Sequence, residues 1–140
     1  MYVQGDCAGV NTRAGELFNI TDGSLANVID FRALDTLNGL SAIISGGVSF
    51  TASTQDPGQS PYVANVSAKA AASFAANNFN YVKNAGAADS NFTIPMPVSP
   101  NILTLGNLPG IGNFQLYGHI QQIGYWPTTA TVAQLQVLTT

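Results

Sequence analysis

The hydrophobic period of this chain changes once at a place that can be located, and that place limits what the rest can be. It lies in residues 116–138, LYGHIQQIGYWPTTATVAQLQVL. Residues 117–126 are mostly aromatic and β-branched with two interrupting glycines, and Pro127 cannot continue a ladder, so this half reads as a strand. Thr131 followed three residues on by Gln134 has the spacing of a capping box. Val132, Leu135 and Leu138 then recur every three residues and share one face of a helix of about two turns. So short a helix has no stability of its own, and those three side chains must latch it onto a sheet. Inside the strand, Ile123 and Tyr125 share a face by alternation while Ile120 falls on the other. A bulge near Gln121 and Gln122 would reconcile them; otherwise Ile120 packs on a second surface.

The chain before that stretch alternates at a period of two. Tyr2, Val3 and Gln4 read as a strand already under way, which predicts an open N-terminal sheet edge and either a segment upstream or a second copy to cover it. Residues 16–20, a turn at Asp22-Gly23 and residues 26–34 form a hairpin signal, with Ile29 and Phe31 expected inside and Asp30 and Arg32 in solvent. Asn38-Gly39 supplies a turn; residues 40–45, Gly46-Gly47, and Val48, Phe50 and Ala52 continue an antiparallel meander. Residues 54–61 are a loop with a Pro57-Gly58 turn.

Residues 62–77 set two rules against each other. Ala68, Ala70, Ala71, Ala72, Ala75 and Ala76 favour a helix by propensity, yet Val66, Ala68, Ala70, Ala72 and Phe74 take one parity and Asn65, Ser67, Lys69 and Ser73 the other. Alternation predicts a long strand with a small-residue inner face, turning at Asn77-Asn78 into a partner strand over residues 79–83. Residues 84–100 carry Pro95, Pro97 and Pro100 and read as a long loop crossing between sheets. Residues 103–105 form a short strand. The glycines of GNLPGIGN lack the following helix and the Lys-Ser/Thr pair of a phosphate cradle.

At 140 residues the chain suits one domain burying about two-thirds of its unfolded surface. Cys7 is the only cysteine, so no intrachain disulfide forms, and a small strand residue is the simplest role for it. Charged residues make up 8% of the chain against about a quarter in an ordinary domain, so the surface is polar but uncharged. The four basic residues, Arg13, Arg32, Lys69 and Lys83, are scattered and the net charge is -3, which argues against a nucleic-acid partner. No apolar run reaches spanning length and the first ten residues lack the pattern of a signal peptide, so neither membrane insertion nor an export address is expected. Sequons at Asn19, Asn65 and Asn91 carry no meaning for a chain made in a bacterial cytoplasm.

Catalysis finds little footing. A sugar-cleaving pair needs carboxylates about 5 Å or about 6.5–9.5 Å apart, which on one strand means acids at i, i+2 or i, i+4. Asp6, Glu16, Asp22, Asp30, Asp35, Asp56 and Asp89 hold no such pair, leaving only convergence of distant segments. His119 is the sole histidine; a multi-histidine metal site is excluded, and a structural role in its strand outweighs a Cys7–His119 pair. No dense Asp cluster supports calcium, and no cofactor is expected. Tyr62, Phe79, Tyr81, Tyr117 and Trp126, beside thirteen asparagines, offer what sugars bind, although each aromatic more readily serves packing. No set of residues stands out as a ligand site.

The run LYGHIQQIGYWP followed by TVAQLQVLT resembles the C-terminal signature of the concanavalin A-like, laminin-G-like lectin domains of tailed-bacteriophage structural proteins. ELFNITDGSLANVIDFR resembles that family's early strand-turn-strand unit, and LTLGN at 103–107 a third segment, in the same order. The resemblance implies an all-β antiparallel β-sandwich of the jelly-roll, concanavalin A-like type with a short C-terminal α-helix. It also implies a place in a virion assembled in the host cytoplasm, at the end of a longer chain or as a small protein of its own. The expected function is a non-enzymatic module of a tail fibre, tailspike or head decoration that shows a carbohydrate-binding surface to host glycans. A purely structural or oligomerising role is the alternative, and a glycan-degrading enzyme is disfavoured by the missing acid pair. Other virion proteins and further copies of the chain, in a trimer by analogy with phage-fibre symmetry, are the expected partners.

Overall fold

A computed structural model describes residues 1–7, 15–33, 40–52, 63, 65–107 and 115–140. They form two antiparallel five-stranded sheets and one helix. The strands are β1 (Tyr2–Cys7), β2 (Gly15–Thr21), β3 (Val28–Ala33), β4 (Leu40–Ser45), β5 (Val48–Ala52), β6 (Ala68–Ala75), β7 (Asn78–Lys83), β8 (Asp89–Asn91), β9 (Ile102–Leu105) and β10 (Gly118–Gly124), followed by α1 (Val132–Leu138). One sheet has the order β10-β1-β6-β7-β8 and the other β5-β4-β3-β2-β9. The all-β antiparallel sandwich closed by a C-terminal helix is thus the architecture of the chain.

The core between the sheets is built by alternation. Val3, Ala70, Ala72, Phe79 and Tyr81 from one sheet meet Leu17, Phe18, Ile29 and Phe31 from the other. Phe18 stacks on Phe31 with centroids 4.4 Å apart, and Tyr81 meets Phe31 edge-on at 5.8 Å. Pairing has overridden helix propensity in the alanine-rich stretch: β6 sends Ala70 and Ala72 inward, where small side chains leave room for these rings. The strand is shorter than expected, since it begins at Ala68 and Val66, expected on its inner face, precedes it and is exposed. The hairpin from β6 to β7 turns through Ala76 and Asn77, Asn77 at a φ of 56°, one residue earlier than the sequence suggested.

The bulge in β10 falls where the pattern required it. Gln4 pairs with Gln122 and Gly5 with Ile120, so Gln121 is the extra residue. It returns Ile120 and Ile123 to the same face, and both pack against the inter-sheet core. At that seam the backbones approach closely, since a Cβ on Gly5 would lie 2.5 Å from the carbonyl oxygen of His119.

Three expectations are corrected. β1 is not an open edge: it pairs with β10 on one side and β6 on the other, and Tyr2 and Val3 are buried. The second face of β3 is not solvated, because Val28 and Asp30 are as buried as Ile29 and Phe31. Residues 84–100 are not loop throughout, since β8 pairs with β7 before the prolines begin. After β8 the chain crosses from one sheet to the other, with Ile94 buried in the core on the way. The Asn38-Gly39 turn, the 54–61 loop and the GNLPGIGN loop, apart from Gly106 and Asn107, lie outside the described residues.

Asp22 organises the β2–β3 turn. Its Oδ1 accepts from the Ser24 amide at 2.8 Å and the Ser24 hydroxyl at 2.6 Å, while Asn27 Nδ2 donates to Oδ2 at 2.8 Å. These donors, those of Ser24 foremost, hold the carboxyl pKa below its ordinary value.

Candidate functional site

Most residues singled out for chemistry are placed away from one another. Phe79 and Tyr81 are core residues. Tyr62, Asp35 and Asp56 lie outside the described residues. Cys7 ends β1. His119 stands on the outer strand β10 with its side chain 79% exposed, and its Nδ1 lies 3.0 Å from Asp6 Oδ1, which also accepts from the His119 amide at 3.2 Å. That pair straps β10 to β1 across the bulged seam. Among the described residues no cluster of three or more metal-ligating side chains occurs.

Distant acids do converge once. Glu16 on β2 pairs opposite Arg32 on β3, and both Glu16 and Asp30 have fully buried side chains. Arg32 Nε donates to Glu16 Oε2 at 3.1 Å, and its Nη2 donates to Asp30 Oδ2. Burial, and then the negative charge of Asp30, raise the Glu16 pKa well above the ordinary carboxyl range; Arg32 and the nearby Asn19 amide oppose them. Asn19 is buried too, and its Nδ2 donates to the Asn107 carbonyl at 2.8 Å, so this sequon presents no free amide. The sequence hid this cluster because its acids lie on neighbouring strands, brought into line by a bulge at Leu17. Both acids are thus buried and bound to one guanidinium.

A cavity with the character of a binding site lies elsewhere, where β10 hands over to α1. The β10 ladder ends at Gly124, and the segment 125–130 crosses to β6, where the Ala130 amide donates to Ser73 Oγ at 3.1 Å. There α1 begins with a complete capping box: the Gln134 amide donates to Thr131 Oγ1 at 3.3 Å and the Thr131 amide donates to Gln134 Oε1 at 2.8 Å. The helix lies on the outer face of β6 and β7, with Leu135 buried against Tyr2, Ala71 and Val82 and Leu138 packed beside it. The crossing segment and the helix leave between them a cleft of about 570 Å³, within the range of small-molecule sites.

Phe74, Trp126, Pro127 and Leu138 give this cleft its apolar walls, and Thr128 and Gln134 supply polar groups. No side chain that lines it is charged. Trp126 remains 47% exposed and Tyr125 61% exposed at its mouth. The indole is held in place: a Cβ on Gly124 would lie 2.7 Å from Trp126 Cη2, so the ring rests on the bare backbone of that glycine. Among the described aromatics picked out from the sequence, Trp126 lines this cleft, while Tyr117 is exposed but does not line it. The spacing of Gly124 and Trp126 was visible in the sequence, but the cleft needed the helix to fold back over β6.

No protein-family model matches the chain, and neither curated proteins nor solved structures yield a match.

Proposed function

We propose that this domain is a non-enzymatic adhesion module of a tailed-bacteriophage virion, carried in a tail fibre, tailspike or head decoration, and that it binds host-surface carbohydrate in the Trp126 cleft. The virion setting rests on the sequence resemblance in residues 16–32, 103–107 and 116–139. The binding function rests on one observation: a concave site lined by no charged side chain, with an exposed aromatic ring seated against a glycine. A ring held before the ligand arrives loses little freedom on binding. Convergence of Glu16 and Asp30 does not favour a glycosidase, because both carboxylates are buried and tied to Arg32.

A glycan array combined with a hydrolysis assay on host polysaccharide tests the reading. Binding without cleavage is the expected result; cleavage would replace it with an enzyme, and neither binding nor cleavage would leave a structural module.

The structural alternative has its own support in β9, whose Ile102, Leu103 and Leu105 are all about half exposed and whose four residues carry no charge. Such a strand is suited to association with other virion proteins or with further copies of the chain, in a trimer if phage-fibre symmetry is followed. Light scattering at micromolar concentration separates monomer from trimer, and a monomer would remove β9 as an assembly surface between copies.

A further inference from the structure

We infer that the Trp126 cleft selects uncharged pyranose residues rich in hydrogen-bond acceptors and rejects acidic sugars such as uronic acids, an assignment that rests on the glycan-binding reading above. The first ground is charge. The described basic side chains, Arg32, Lys69 and Lys83, are all absent from the lining, and so are the acidic ones. The Met1 α-amino group, at a residue that also lines the cleft, is buried and already donates to the Ala72 carbonyl at 2.6 Å, and burial lowers its pKa to about 6. Near neutral pH a carboxylate entering this space therefore sheds water without gaining a full counter-charge, whereas a hydroxyl or amide has only a hydrogen bond to replace.

The second ground is the shape of the apolar surface. A pyranose presents a face of C–H groups, whose slight positive charge suits the negative face of an indole. Trp126 is exposed enough to accept that face, and its contact with Gly124 fixes the ring. Phe74, Pro127 and Leu138 continue the apolar surface around it.

The third ground is the capping box. Gln134 Oε1 already accepts from both the Thr131 amide, at 2.8 Å, and the Thr131 hydroxyl, at 3.1 Å. Gln134 is among the residues that line the cleft, and with its Oε1 engaged the group its side chain has left to offer is the Nε2 amide, a donor only. A ligand that places an acceptor there, such as a hydroxyl oxygen or the carbonyl of an N-acetyl group, completes the hydrogen bonding of that amide. A helix cap thereby determines which hydrogen-bond role the binding site presents.

Trp126 is the chain's only tryptophan, so its fluorescence reports on this site alone. The intact chain is titrated with neutral oligosaccharides built of hexose or N-acetylhexosamine units and with uronic-acid oligosaccharides of equal length, and heats of binding are recorded in parallel. A saturable change in indole emission with at least one neutral series is expected, with uronic acids weaker by ~10-fold or more. Trp126→Ala should abolish binding and Trp126→Phe keep part of it. Gln134→Glu retains a carboxylate able to serve the capping box, so thermal unfolding should stay near that of the parent while neutral-sugar affinity falls by ~10-fold. Equal or better binding of uronic acids, binding heats without a change in Trp126 emission, or full affinity in Gln134→Glu would each overturn the assignment while glycan binding stands. Absence of binding to every sugar would overturn both.

Discussion

Arg32 holds two buried acids, and with all three groups ionised the cluster would carry a net negative charge in a low-dielectric setting. Protonating Glu16 removes that charge, in keeping with its raised pKa. The consequence for stability has a definite sign. A carboxyl whose folded pKa lies above its unfolded value keeps a proton in the native state that the unfolded chain has released, so its contribution is complete at low pH and is lost as pH rises. Denaturant unfolding should therefore show the difference in stability between Glu16→Gln and the parent shifting in favour of the variant from about pH 5 to about pH 7.5, starting just above the ordinary glutamate pKa. A difference that is flat across this range would mean that Glu16 is ionised in the folded state. Comparing the two proteins cancels the titration of other groups, including Lys83, whose buried ammonium has its pKa lowered to about 8. None of this was readable from residue order, because Asp30 and Arg32 alternate with Ile29 and Phe31 as a solvated face does. Their partner Glu16 comes from another strand.

Among elements, those governed by near neighbours could be read and those governed by distant ones could not. The capping box joins residues three apart, and it forms as the spacing required. The bulge at Gln121 was demanded by two isoleucines that had to share a face, and the alanine-rich strand by its alternation. By contrast β1, read as an edge, is flanked by β6 and β10, strands encoded far along the chain. The cleft was hidden for the same reason, since its walls come from β6, the crossing segment and the helix. The latch is testable at this scale. Leu135 is 1% exposed, wedged on Ala71 and Val82, so Leu135→Ala should cost about 2–4 kcal/mol in urea unfolding. A loss below about 0.5 kcal/mol would mean that the helix is held by something other than this side chain. Gly5→Ala should also destabilise, since its new methyl would collide with the His119 carbonyl and force β1 and β10 apart.

For the whole molecule, the sandwich is stapled on two sides: the inter-sheet core on one face of β6, and Tyr2, Ala71, Val82 and Leu135 on the other. Strands β1 and β6 are therefore covered on both faces and paired on both edges. Native-state hydrogen exchange should find the amides of Val3, Ala70 and Ala71 among the slowest of the chain, opening only with global unfolding. Fast exchange there would show that α1 and β10 detach without the rest. The seam between β1 and β10 also governs how the domain comes into being. Asp6 and His119 meet across 113 residues of chain, and closing so long a loop delivers no reward until its final contacts form. During synthesis β1 emerges early and waits, its outer edge unpaired, until β10 leaves the ribosome. In that interval an inner strand of the finished sheet is an adhesive edge, and the domain depends on prompt completion, or on a chaperone, to keep copies from joining there.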